Sequence, residues 1–251
     1  MKNIIISGHR LCIYDSIEEM PIARYHKMNR LLLIDSGIGD TLSDVDTHLS
    51  TAAAFLRADD KDSAIKELEN MRQGIQLMRK GLHPKDMAFA ATIKSIDGED
   101  IEDISDEGLV DIVKRLPDMT VAELASLMEE VKKKIGEELK LYFPGTFNDI
   151  EAIEFYSRLR LASLERIRGV AECVDNGKDV RKMEDSLVTY RKPLSFSGSK
   201  GAEVEYDRQY ERICMVIASE LHINAKDMTT TEFYHAIDFL NEKAKRQNKG
   251  N

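Results

Sequence analysis

Residues 120–176 constrain this chain more than any other stretch, because they spell two long helices on either side of the break Tyr142-Phe143-Pro144-Gly145. Thr120 and Glu123 have the spacing of a capping box, in which each side chain satisfies an orphan amide at the helix start. Val121, Leu124, Leu127, Met128, Val131, Ile135, Leu139 and Tyr142 follow at helical period and predict one buried stripe. Glu129 and Glu130 precede Lys133 and Lys134 by four residues, the favourable order on a solvated face. Pro144 removes a backbone donor and Gly145 relaxes the chain, so the helix stops there. A second helix is expected from Asn148 or Asp149 to about Asp175, closed by Asn176-Gly177. Its apolar set (Ile150, Ile153, Phe155, Tyr156, Leu159, Leu161, Leu164, Ile167, Val170, Val174) is too broad for one neighbour, which marks it as the central helix. The fold class read from this is mainly α: a multi-helix bundle built on a long helical hairpin.

The remaining segments attach to that frame. Residues 3–6 and 11–14 read as two strands around Ser7-Gly8-His9-Arg10, a short N-terminal β-hairpin. A lone hairpin is marginal in water. It must lie on helices or add to the sheet of another chain, and the sequence leaves both open. Helices are expected over 21–34, 41–57, 59–80, 105–116 (ended by Pro117), 180–190 and 203–221. A last helix, capped by Thr229 and Glu232, carries Phe233, Ala236, Ile237 and Leu240. Residues 85–96 are apolar and fit helix or strand, before the turn signal Asp97-Gly98. The run RKPLSFSGSKG at 191–201 has linker composition. The expected organisation is a helical body over 1–190 with the hairpin at 1–14, a linker at 191–202, and a docked helical pair at 203–251.

Charge and motifs narrow the chemistry. A net charge of −9 over 251 residues argues against general nucleic-acid binding, which depends on neutralising phosphates. No run of 18 apolar residues and no signal-peptide pattern occurs, so the expected setting is a virion or a host cytoplasm, with no membrane span. Cys12, Cys173 and Cys214 stand apart and suggest neither a disulfide frame nor a zinc knuckle. Asp44, Asp46 and His48 imitate a metal cluster, but helical residues two apart point to opposite sides. Asp44 and His48 alone could share an ion. The glycine-rich Asp35-Ser-Gly-Ile-Gly-Asp40 fits neither dinucleotide nor Walker loops and reads as a helix end followed by a cap. The acidic stretch from Asp97 to Glu107 fails the EF-hand count, with Glu102 and Gly108 where glycine and a carboxylate are needed. It reads as a solvated loop able to meet a basic partner. Arg158, Arg160, Arg166 and Arg168 form the densest basic cluster, suited to a phosphate, an acidic partner helix, or plain ion pairs on a solvated face. No catalytic residue, cofactor or metal is assigned.

The N-terminal run SGHRLCIYDSIEEMPIARYHKMNRLLLIDSGIG resembles the hairpin-plus-helix starts of tailed-bacteriophage virion and tail-assembly proteins. The C-terminal MTTTEFYHAIDFLNEK is similar to the closing helices of phage tail-assembly chaperones. The resemblance implies a non-catalytic structural or assembly role in a symmetric complex, with the chain itself or other phage structural proteins as partners. The alternatives are a helical scaffold or regulatory protein of a bacterial host, and a metal- or phosphate-dependent enzyme using Asp44 and His48 or the arginine face. For the first reading the expected contact residues are Ile4, Ile6, Leu11, Ile13 and Tyr14 of the hairpin, Asp100 and Asp103 of the acidic loop, Arg160 and Arg168, and Phe233.

Overall fold

The computed structural model describes residues 1–6, 8–116, 121–147, 150–190 and 192–249, and it is mainly α with one small antiparallel sheet. The elements run β1 (Lys2–Ile6), β2 (His9–Ile13), α1 (Ile22–Ile38), α2 (Leu42–Arg57), α3 (Lys61–Lys80), α4 (Pro84–Thr92), β3 (Ile93–Ile96), β4 (Glu99–Asp100) and α5 (Asp106–Arg115). They continue with α6 (Val121–Tyr142), the single turn α7 (Pro144–Phe147), α8 (Ile150–Glu172), α9 (Gly177–Tyr190), α10 (Ala202–Leu221) and α11 (Thr230–Lys249). Thr120, Pro117, Asn148, Asp149 and the side chain of Glu123, on which several helix-end expectations rest, lie outside the described residues. No helix among the described residues is long and apolar enough to cross a membrane.

The chain forms two compact units, each assembled from separated stretches. One comprises Met1–Ser36, Gly81–Pro144 and Ala202–Asn251; the other comprises Gly37–Lys80 and Gly145–Gly201. Both helices expected within 120–176 are present, with α6 in the first unit and α8 in the second.

In the first unit the N-terminal hairpin is completed by its own chain. The sheet order is β1-β2-β3-β4, antiparallel throughout, with Leu11 opposite Ile96 and Ile13 opposite Ile93. The ambiguous 85–96 segment is therefore both things in turn: α4 ends at Thr92 and the chain passes straight into β3. Helix α6 buries Met128, Val131, Ile135 and Leu139 along the expected stripe. Its polar side ties down the segment after β2. Glu138 accepts hydrogen bonds from Ser16 Oγ (3.0 Å) and the Ile17 amide (2.9 Å), and Lys134 pairs with Asp15 at 2.6 Å. The start of α11 is clasped by the same region, since the Thr230 amide and hydroxyl both donate to the Met20 carbonyl at 2.8 Å.

The second unit is built on the antiparallel pair α2 and α3, with Ala52, Phe55 and Ala64 at its centre and Val188 of α9 against them. The glycine-rich break resolves as the sequence suggests. Gly39 sits at φ +63°, where a side chain would also meet Asp44, and Thr41 caps α2 in a reciprocal box with Asp44. The segment over 192–201 is irregular, as its composition implies, yet it is held along α3. Asn70 donates to the Leu194 carbonyl (2.9 Å), Gln73 to Ser197 (3.2 Å), and Phe196 is buried against Gly37.

Helix α8 is the departure. Of its broad apolar set, Tyr156, Leu159, Leu161, Leu164, Ile167 and Val170 are exposed and Phe155 is half-buried. The side chains of Ile150 and Ile153 lie outside the described residues, and Val174, also exposed, falls beyond the helix end at Glu172. Ala162 and Gly169 are buried. Gly169 packs where α8 turns into α9, against the side chain of Asn176, which donates to the Glu165 carbonyl at 2.6 Å. Alanine in a helix interior normally gains about 1 kcal/mol over glycine. Gly136→Ala in α6, where a methyl meets nothing within 4 Å, should show that gain. Gly169→Ala should instead lower stability in urea denaturation, because its methyl displaces Asn176. A stabilised Gly169→Ala protein would contradict this packing.

Candidate functional site

The hairpin residues divide by face. Leu11 and Ile13 have no exposed surface, so they are core and cannot meet a partner. Ile4, Ile6 and Tyr14 are half-buried, and the Arg24 guanidinium stands over the Tyr14 ring at 5.6 Å. What the free edge strand β1 does present is Ile5, 75% exposed. Phe233, also expected at a contact, is buried beside Tyr210 and Tyr234. An apolar residue in a periodic stripe reads the same whether its cover comes from its own chain or another, which is why the sequence did not separate these cases.

Much of the acidic loop is engaged in local structure. Asp97, at φ +52°, receives the Arg10 amide (2.8 Å) and contacts His9 Nδ1 (2.7 Å), which joins the turns of the two hairpins. Those bonds, His9 first, hold its carboxyl below the usual range. Asp103 is exposed and accepts from the Ser105 amide at 2.8 Å, ahead of α5. Asp106 pairs with Lys27 at 2.6 Å. Asp100 is exposed.

The Asp44 and His48 pair is not arranged for a metal. Asp44 is the acceptor of the α2 cap, at 2.9 Å from the Thr41 amide. His48 Nδ1 lies 2.5 Å from Glu67 and Nε2 lies 2.8 Å from the Ile38 carbonyl. Both neighbours accept, so a doubly protonated ring satisfies both and leaves no lone pair for an ion. The Glu67 hydrogen bond raises the imidazole pKa above 6.5; burial opposes it, and the Ile38 carbonyl and the charges of Glu67 and Asp44 add to it. A raised folded-state pKa stabilises fully below the unfolded value and is lost as pH rises through the folded one. The second unit should therefore weaken above neutrality, and His48→Gln should flatten that dependence. NMR titration of the ring gives the check: a midpoint above 6.5 is expected, and one below it would rule the arrangement out. No group of three or more metal-ligating side chains occurs among the described residues.

An aromatic cavity of about 120 Å³ in the first unit has no counterpart among the sequence expectations. His26 is stacked between Tyr206 (4.7 Å) and Tyr210 (3.9 Å), and its Nε2 meets Asp207 at 2.8 Å. Burial lowers the imidazole pKa despite Asp207, and burial raises the phenols of Tyr206, Tyr210 and Tyr234. All four rings are therefore neutral at physiological pH. The Tyr206 and Tyr210 spacing was visible as a helical stripe, but the rings facing it come from α1 and α11, far away in sequence.

The most distinctive surface is α8. Arg158 pairs with Glu154 (3.0 Å), Arg166 with Glu184, and Arg168 with Glu165 (2.7 Å). Arg160 is exposed and makes no ion pair or hydrogen bond among the described residues. It lies between Tyr156 and Ile167 on the bare apolar side. Helix α8 thus presents an uncovered apolar stripe with one cation inside it that no described carboxylate meets.

No family model, curated protein or solved structure matches this chain.

Proposed function

We propose that the chain is a non-catalytic structural or assembly protein that works through protein–protein contacts. On the resemblance of its two end segments, we place it among the virion or tail-assembly components of a tailed bacteriophage. The observation that carries the contact reading is the bare side of α8, where Ile167 is 63% and Val170 77% exposed. Large contiguous apolar patches on a folded chain mark interaction surfaces, whereas single exposed apolar residues do not. Covering such surface stabilises a complex by about 25 cal/mol per Å² of apolar area removed from water.

Light scattering on the protein isolated from its native source tests this. The expected particle is heavier than the 28.5 kDa of one chain. The double substitution Ile167→Asp and Val170→Asp, on exposed positions that the core does not use, should return it to that mass. A wild-type protein recovered as a lone chain would refute the reading. Genes for portal, capsid and tail proteins beside its own would support the phage setting.

A further inference from the structure

The bare side of α8 has a definite pattern. Tyr156, Arg160, Ser163, Ile167 and Val170 recur at alternating spacings of four and three, the spacing of a seam that meets another helix. At 1.5 Å per residue the seam is about 21 Å long, enough for a partner helix of about four turns. Arg160 sits within it, exposed and without an ion pair or hydrogen bond among the described residues, while the other three arginines of α8 are paired.

A covering helix would take Arg160 out of water, and a buried guanidinium needs a carboxylate. A second copy of α8 does not supply one at that place. In parallel register Arg160 faces Arg160; in the full antiparallel overlap of the seam it faces Ile167. Either arrangement buries the cation unpaired. We propose that α8 docks an amphipathic helix of another protein that carries a carboxylate in the middle of its own apolar seam, placed opposite Arg160. This rests on the contact reading above and specifies the partner's chemistry. The seam supplies affinity, and the single charge pair fixes register and rejects uncharged or basic competitors, as polar seam residues do in coiled coils.

The test uses the full chain and three synthetic helical peptides of about three heptads, with leucine at every seam position except one central site holding Glu, Gln or Lys. Binding is followed by fluorescence anisotropy. The Glu peptide should bind tightest and the Lys peptide weakest, with a spread of at least about tenfold at low salt. Arg160→Glu should invert that order, and Val170→Asp should abolish binding of all three. If the peptides bind equally well and Val170→Asp still abolishes binding, α8 is a contact surface but the acidic-partner inference fails. If no peptide binds the wild-type chain, or Val170→Asp binds as the wild type does, the proposal fails as well. A wild-type dimer that Val170→Asp separates would show a second copy to be the occupant and overturn it.

Discussion

Replacing Arg24 by Met is expected to cost the first unit about 3 kcal/mol, among the largest losses available to a single substitution in this chain. Arg24 is 7% exposed. Its guanidinium donates to the Ala91 carbonyl at 3.2 Å, the Ile93 carbonyl at 2.8 Å and the Ile101 carbonyl. It therefore closes the end of α4, the start of β3 and the residue that follows β4. Methionine keeps much of the stem but leaves the Ala91 and Ile101 carbonyls short of their buried partner. Burial already lowers the pKa of this cation, with the nearby Tyr14 and Asp100 offsetting part of the effect. Arg24→Lys should recover less than half of the loss, because one ammonium cannot span three carbonyls as a planar fork does. Six of the eight tyrosines (Tyr14, Tyr25, Tyr142, Tyr206, Tyr210 and Tyr234) belong to this unit. With no tryptophan in the chain, tyrosine fluorescence in urea reports mainly on it. A loss below about 1 kcal/mol would mean that the three carbonyls find other donors.

Phe143→Ala should cost a further large amount, about 3–5 kcal/mol, whereas Tyr142→Ala next to it should change stability by less than about 1 kcal/mol. Phe143 is 1% exposed and lies 5.5 Å from the Tyr234 ring and 4.9 Å from the His235 ring. It joins the end of α6 to α11. Tyr142 is half-exposed at the last position of the helix. Equal losses in the same urea experiment would contradict this division of labour between adjacent aromatics.

That pair also shows what the sequence carries and what it hides. Helical period selected Met128, Val131, Ile135 and Leu139 correctly, because a stripe on one helix is a local property. It also selected Tyr142, since the period has no knowledge of where the last turn ends; Phe143, one residue beyond α6, is the side chain that reaches the core. The strand β3 was hidden for a related reason. Its four residues, Ile93–Ile96, are too few and show no apolar alternation to set against the helical run before them, and their partner, β2, lies some eighty residues earlier. The His48–Glu67 contact crosses from α2 to α3, so no motif scan along one helix could supply it. Helix α8 is the opposite case. The breadth of its apolar set was plain from the sequence and pointed to more neighbours than one. Periodicity cannot say whether those neighbours belong to the same chain, and the exposed Tyr156, Ile167 and Val170 leave that face open for another.

The claim that this open face is where the protein works can be read at one atom. Val170→Cys, introduced with Cys173→Ser so that the neighbouring exposed thiol does not compete, places a reactive group within the α8 seam. Cys214 is buried, and labelling at Cys12 is distinguished by peptide mass. Maleimide labelling of position 170 should be fast in the isolated chain and strongly slowed in the assembly recovered from the native source. Equal rates in the two states would show that the α8 face stays open to water in the working complex, and α8 would then not be the surface through which this protein acts.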